Sequence, residues 1–160
     1  MVTEIKINPG TAVIWTSSGG DEVLTLTSLA NGDGRAGDLH DFGDPFPRRI
    51  QLVMELDFNS GPTAGYVVNL YWASSHDGTD FDGECTGSDS AYNAEEDMRR
   101  LYYVGSLICT NDTDPQRQSW VFELPARYGL PVVSNQSGVA LTSTGTNQIV
   151  TVIPLVDEVQ

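Results

Sequence analysis

The chain has 160 residues, 39% of them hydrophobic and 9% aromatic, which is enough for one domain with its own core. Eight basic residues against 22 acidic ones leave a formal charge of −14, so most of the surface would repel a polyanion and nucleic acid is excluded as a partner. No run approaches the ~20 apolar residues of a membrane-spanning helix, which excludes a membrane partner of that kind.

The opening, MVTEIKINPG, lacks the basic and then apolar regions of a secretory leader. The expectation is a protein kept in a reducing compartment, with Cys85 and Cys109 as unpaired structural thiols. EIKI, AVIWTSS and EVLTLTSL are the first strand candidates, bounded by Gly, Pro, Asn or Asp. Residues 31–47, NGDGRAGDLHDFGDPFP, then read as a long loop or arm because Gly, Asp and Pro dominate them.

RRIQLVMELDFN shows the alternation well, placing Ile50, Leu52, Met54, Leu56 and Phe58 on one face and Gln51, Glu55 and Asp57 on the other. GYVVNLYWASS groups Tyr66, Val68, Leu70 and Trp72 after the turn-like NSGPTAG. Residues 48–58 and 65–73 are therefore expected to be neighbouring antiparallel strands. NAEEDMRRLYY, residues 93–103, has acids before arginines, as a helix dipole prefers, and predicts one short helix. LYYVGSLICT, QSWVFELP, YGLPVVSNQ, GVALTST and QIVTVIPLV complete the strands. So many short strands, without repeat or linker, predict a single all-β domain over 1–160, an antiparallel sandwich or barrel.

Residues 128–156 contain no charged side chain, in a chain that is 19% charged. In QIVTVIPLV both faces of the strand are apolar, so its outer face needs cover. One source of cover is a second subunit, with Val132, Val133, Val150, Val152 and Ile153 as interface candidates. The other is a loop of the same chain.

The stretch SSHDGTDFDGECTGSDS, residues 74–90, holds five carboxylates. A helix-loop-helix calcium loop aligned from Asp80 fails, with Cys85 where Gly is needed and Ala91 where Glu is needed. Asp77, Asp80, Asp82 and Glu84 nevertheless alternate closely enough for an irregular calcium site. The alternative is a solvated loop at one end of the sandwich, built from turn-forming residues. His40 and His76 are too few and too far apart for a transition-metal site. Ser75, His76 and Asp77 are sequence neighbours pointing in different directions, which argues against a triad. Glu55, Asp57 and Glu123 are carboxylates of the kind a glycosidase pairs, but they fit solvent-facing strand positions. NGDGRAG lacks the Gly-Lys-Ser/Thr ending of a phosphate loop. Trp15, Trp72 and Trp120 could stack on a sugar, although Trp72 and Trp120 align with core-facing rows.

YWASSHDGTDFDGECTGSDSAY, LYYVGSLICTND and FELPARYGLPVVSNQSGVALTSTGTNQIVTVIPLVDEVQ together resemble structural proteins of tailed-bacteriophage virions, most closely the jelly-roll capsid decoration, or cement, proteins. The resemblance spans roughly residues 48–160. It implies a jelly-roll subunit, made in the bacterial host cytoplasm, that sits on the outer capsid surface as a homotrimer. It also implies binding to the major capsid protein, with no catalytic residues and no cofactor. The arm at 31–47 would touch the capsid or a neighbouring subunit. A carbohydrate-binding or receptor-binding module of a phage tail, with loop acids holding calcium, is the alternative.

Overall fold

The computed structural model describes residues 5–92 and 98–159, which form two sheets packed face to face. The first sheet contains β1 (Ile5–Pro9), β2 (Val13–Thr16), β3 (Glu22–Val23), β6 (Arg49–Leu56), β10 (Gln116–Glu123) and β12 (Ile149–Val159), in the order β10-β6-β12-β2-β3 with β1 also on β12. The second contains β4 (Gly34–Ala36), β5 (His40–Asp41), β7 (Val67–Ser75), β8 (Ser90–Ala91), β9 (Tyr102–Ile108) and β11 (Tyr128–Gln136), in the order β8-β4-β11-β7-β9 with β5 also on β11. All pairs are antiparallel except β2 with β3. This is the expected all-β sandwich, in an arrangement compatible with a jelly roll.

Alternation explains the core. Ile50, Leu52, Met54 and Leu56 of β6 are all fully buried, as are Val150 and Val152 of β12. They meet Val68, Leu70 and Trp72 of β7 and Val133 of β11 across the gap between the sheets. A second, smaller cluster lies on the outer face of the other sheet. There Ala36, Ala73, Leu130 and Val132 pack under Phe81, Cys85, Tyr92, Met98 and Leu101. The same chain therefore covers both faces of β11, which is why that strand carries no charge.

Four expectations change. Residues 48–58 and 65–73 do form strands, but β6 and β7 belong to opposite sheets and the segment between them crosses the sandwich. Alternation reports which face is buried, and two strands facing each other across a core alternate just as two hydrogen-bonded neighbours do. Residues 31–47 are not an arm, because β4 and β5 pair with β11. GVALTST supplies only a bridge from Leu141 to Phe58. Of the expected helix at 93–103, residues 93–97 lie outside the described residues, while Tyr102 and Tyr103 already belong to β9.

Two glycines make the strand packing possible. A Cβ on Gly129 of β11 would lie 2.4 Å from Nε1 of the fully buried Trp72, and one on Gly105 of β9 would lie 2.1 Å from Nε1 of Trp120. Neither indole can be displaced cheaply from close-packed surroundings. Gly129→Ala is expected to lower stability by about 1–3 kcal/mol, the usual cost of overpacking, as measured by urea denaturation.

Candidate functional site

The acidic stretch at 74–90 is a folded loop with an apolar inner side. Ser74, Ser75, Gly83, Cys85 and Gly87 are buried, while His76, Asp77, Thr79, Asp80 and Glu84 are exposed. Its carboxylates go to separate tasks. Asp77 Oδ1 accepts the N–H groups of Thr79 and Asp80 at 2.9 and 3.0 Å and the Ser75 hydroxyl at 2.9 Å, closing a tight turn. The Asp80 and Thr79 amides, then the Ser75 hydroxyl, hold the Asp77 carboxyl far below the ordinary carboxylate range. Asp82 Oδ2 accepts the Ser74 N–H at 3.2 Å, and Glu84 pairs with Arg100 at 3.0 Å on the exposed side. Among the described residues no three His, Cys, Asp or Glu side chains are placed to hold one metal ion, so Asp77, Asp80, Asp82 and Glu84 are not a calcium ligand set here. Asp77, Asp82 and Glu84 each accept from different partners, and Asp80 is exposed.

The other constellations are also dispersed. Ser75 is buried and His76 exposed, on opposite sides of the chain. Glu55 lies opposite Arg117, and Glu123 opposite Arg49, six positions along the same ladder. At ~3.4 Å per residue that is about 20 Å, well beyond the spacing of a glycosidase pair. Trp15 and Trp72 are fully buried and meet edge to face at 6.0 Å, so neither is a sugar platform, and Trp120 is half-buried. Cys85 and Cys109 are buried thiols, and burial pushes the Cys109 thiol up to about 11.

Sequence reasoning passed over two sites in the stretch it took for an arm. Arg35 grips Asp89 through Nε at 2.8 Å and also through Nη2, while Asp89 accepts the Thr25 N–H at 3.0 Å. A lone Arg in a Gly/Asp run is the available signal, but nothing local names its partner 54 residues away. His40 is the other. Its Nδ1 lies 2.8 Å from Glu22 Oε1, and its ring is held edge-on to Trp15 at 5.8 Å and to Phe42 at 4.8 Å.

His40 lines an open cavity of about 530 Å³ between the β1–β2 turn, β5 and the end of β12. Val13, Phe42, Phe46 and Pro154 supply apolar wall, and Asp21, His40 and Asp41 supply polar groups. The lining thus sets aromatic rings beside a histidine and two carboxylates. Asp41 is clamped by Arg127 and accepts the Gly43 N–H at 2.9 Å, while the Arg127 guanidinium lies 4.9 Å over the Tyr128 ring.

A different surface answers the question of self-association. Val132, Val133, Val150 and Val152 are fully buried inside this chain, so none can be a contact side chain between subunits. Of the five candidates only Ile153 reaches the surface, because the odd positions of β12 face outward. It belongs to the outer face of the first sheet, beside Ile14, Val53 and Leu155, with Val121 67% exposed on β10. Along the β6–β10 ladder of that face Arg49 stands opposite Glu123 and Arg117 opposite Glu55, so the charges of this ladder balance on a chain of −14.

The Arg127 hydrogen bonds, with the Gly43 amide second, lower the Asp41 carboxyl to about 2. A folded value below the unfolded value of about 3.9 adds stability that is fully present above the latter and lost as pH falls through the folded value. Asp41→Asn is therefore expected to lower the melting temperature at pH 7. The gap from wild type should close between about pH 4 and pH 2 in a calorimetric pH series. Compared with protein-family models and with curated proteins, the chain matches none.

Proposed function

We propose that the chain is a non-enzymatic structural subunit of a phage virion, a decoration protein that binds the outside of the assembled capsid through the major capsid protein. The observation that carries this reading is the outer face of the first sheet, apolar at Ile14, Val121 and Ile153 and charge-balanced along its β6–β10 ladder on a strongly acidic body. Long-range repulsion keeps such a protein soluble, and contact is favoured where the charge vanishes. The described carboxylates support the same reading, since Asp77, Asp82, Glu84 and Asp89 serve loop turns and ion pairs rather than a shared reacting centre. A subunit that binds only the assembled shell stabilises it by mass action, and modest contacts repeated by symmetry add up. Self-association belongs to this reading as well, through residues other than the four buried valines.

Co-sedimentation with assembled heads of the phage that encodes the chain tests it. Wild type is expected in the pellet, and the Ile14→Asp, Ile153→Asp double variant in the supernatant at an unchanged melting temperature. Wild type that stays in the supernatant would overturn the reading.

The pocket beside His40 favours a second reading, a carbohydrate-binding or receptor-binding module of a phage tail. Its Phe42 and Phe46 rings and its carboxylates are groups that hold sugars. Occupancy would be felt by Trp15, which touches the His40 ring. On this reading a glycan that scores on an array shifts Trp15 emission, and Phe46→Ala weakens it at least tenfold; a silent array removes it.

A further inference from the structure

Strand β10 is a margin of the first sheet. One of its edges pairs with β6 along its whole length of eight residues, from Gln116 opposite Leu56 to Glu123 opposite Arg49. Among the described residues no strand pairs with the other edge. Eight residues at ~3.4 Å give an open edge of about 27 Å, a template for another strand. It contains none of the usual guards: no Pro, no Lys and no charge in its central five residues, while Val121 at its centre is 67% exposed.

The sequence of this edge is complementary to itself. A twofold axis perpendicular to the sheet keeps inner faces together, so a residue can lie opposite only one of its own parity. With the axis through Trp120, Arg117 falls opposite Glu123 of the partner subunit, Gln118 opposite Phe122 of the partner subunit and Ser119 opposite Val121 of the partner subunit. A shift of two residues one way sets Arg117 against Val121 of the partner subunit, and the other way carries it past the strand end. One register alone therefore pairs the opposite charges.

The same register extends the ladder already present. Arg49 lies opposite Glu123 within the chain, and Arg117 opposite Glu55. Across the axis the row would run Arg49, Glu123, then Arg117 and Glu55 of the partner subunit, with signs alternating at every step, and symmetry makes two such rows. Opposite charges directly across strands stabilise a pair and like charges destabilise it. Val121 would sit diagonally from Val121 of the partner subunit, close enough for both to be covered.

We propose that a second copy of this chain adds to the first sheet by antiparallel β10–β10 pairing about a twofold axis at Trp120, with Arg117 and Glu123 setting the register. The inference does not depend on a virion role.

Light scattering on the full chain over a wide concentration range tests it. A particle of twice the 17.3 kDa chain mass is expected. Arg117→Glu and Glu123→Arg should each shift dissociation at least tenfold toward monomer, and the double swap should restore the dimer. A wild-type monomer at every concentration, a trimer, single swaps that stay dimeric or a double swap that stays monomeric would each overturn the proposal. Because each swap also meets a like charge in its own chain, at Glu55 or Arg49, amide exchange of wild type gives a second readout. The β10 amides facing away from β6 should exchange at least tenfold more slowly at high than at low protein concentration, and equal rates would count against pairing as firmly as a monomer would.

Discussion

Strand β11 is buried on both faces, and most of the molecule is arranged to satisfy that constraint. Seven consecutive residues from Gly129 to Asn135 are inside. Val133 needs the first sheet on one side, and Leu130 and Val132 need Phe81, Cys85, Tyr92 and Leu101 on the other. Both backbone edges need partners as well, which β7 supplies along one and β4 and β5 along the other. The buried run ends on Asn135, whose amide leaves no atom unused. Nδ2 donates to the Leu29 and Val139 carbonyls at 3.0 and 2.9 Å, and Oδ1 accepts the Ser137 N–H and hydroxyl at 3.1 and 2.7 Å. A polar side chain at zero exposure is tolerable on those terms, and here it joins two loops that cross the end of the sheet.

The same constraint gives the acidic loop its form. A segment that covers Leu130 and Val132 must turn an apolar side inward, which Phe81, Cys85 and Tyr92 provide, and can leave Asp77, Asp80 and Glu84 in water. The Tyr92 hydroxyl then donates to the Gly83 carbonyl, and Arg35 draws Asp89 back to β4. A dense run of carboxylates suggests a cation in sequence, yet in three dimensions these side chains are consumed one at a time by turns and pairs. Density along the chain does not bring lone pairs to a common point.

What could be read from the sequence follows the range of each interaction. β11 matches YGLPVVSNQ residue for residue, and β6 matches its alternating row, because strand propensity and burial parity are written locally. The pairing of β6 with β10 and β12 rather than β7 was not legible, since hydrogen-bonded neighbours and partners across a core leave the same alternation. Over β11 the charge gap at 128–156 marks double cover, supplied by this chain's own loop, whereas over β12 the outward positions 149, 151, 153 and 155 stay partly exposed. Leu24 and Leu26 are fully buried outside any strand, so the alternation in EVLTLTSL marked the core correctly while the ladder stops at Val23. His40 and its pocket were hidden because His40 and Phe42 lie in the stretch that composition assigned to a loop, while Trp15 and Glu22 reach them from two separate strand candidates, AVIWTSS and EVLTLTSL.

Charge then decides where such a molecule can touch anything. Two bodies of −14 repel at distances up to a Debye length, about 8 Å at physiological salt, so an encounter succeeds only where local charge is balanced and unscreened contact is available. The outer face of the first sheet meets both conditions, and β10 is its open margin. Backbone hydrogen bonds along that margin and the burial of Val121 are nearly indifferent to salt, whereas the repulsion between the acidic bodies is not. Moderate salt would therefore favour association through this face even while weakening the Arg117 and Glu123 contacts, and those contacts would act chiefly on register. On the proposed pairing, affinity and alignment would thus come from different atoms of the same strand, the backbone and Val121 for one and the Arg117 and Glu123 side chains for the other.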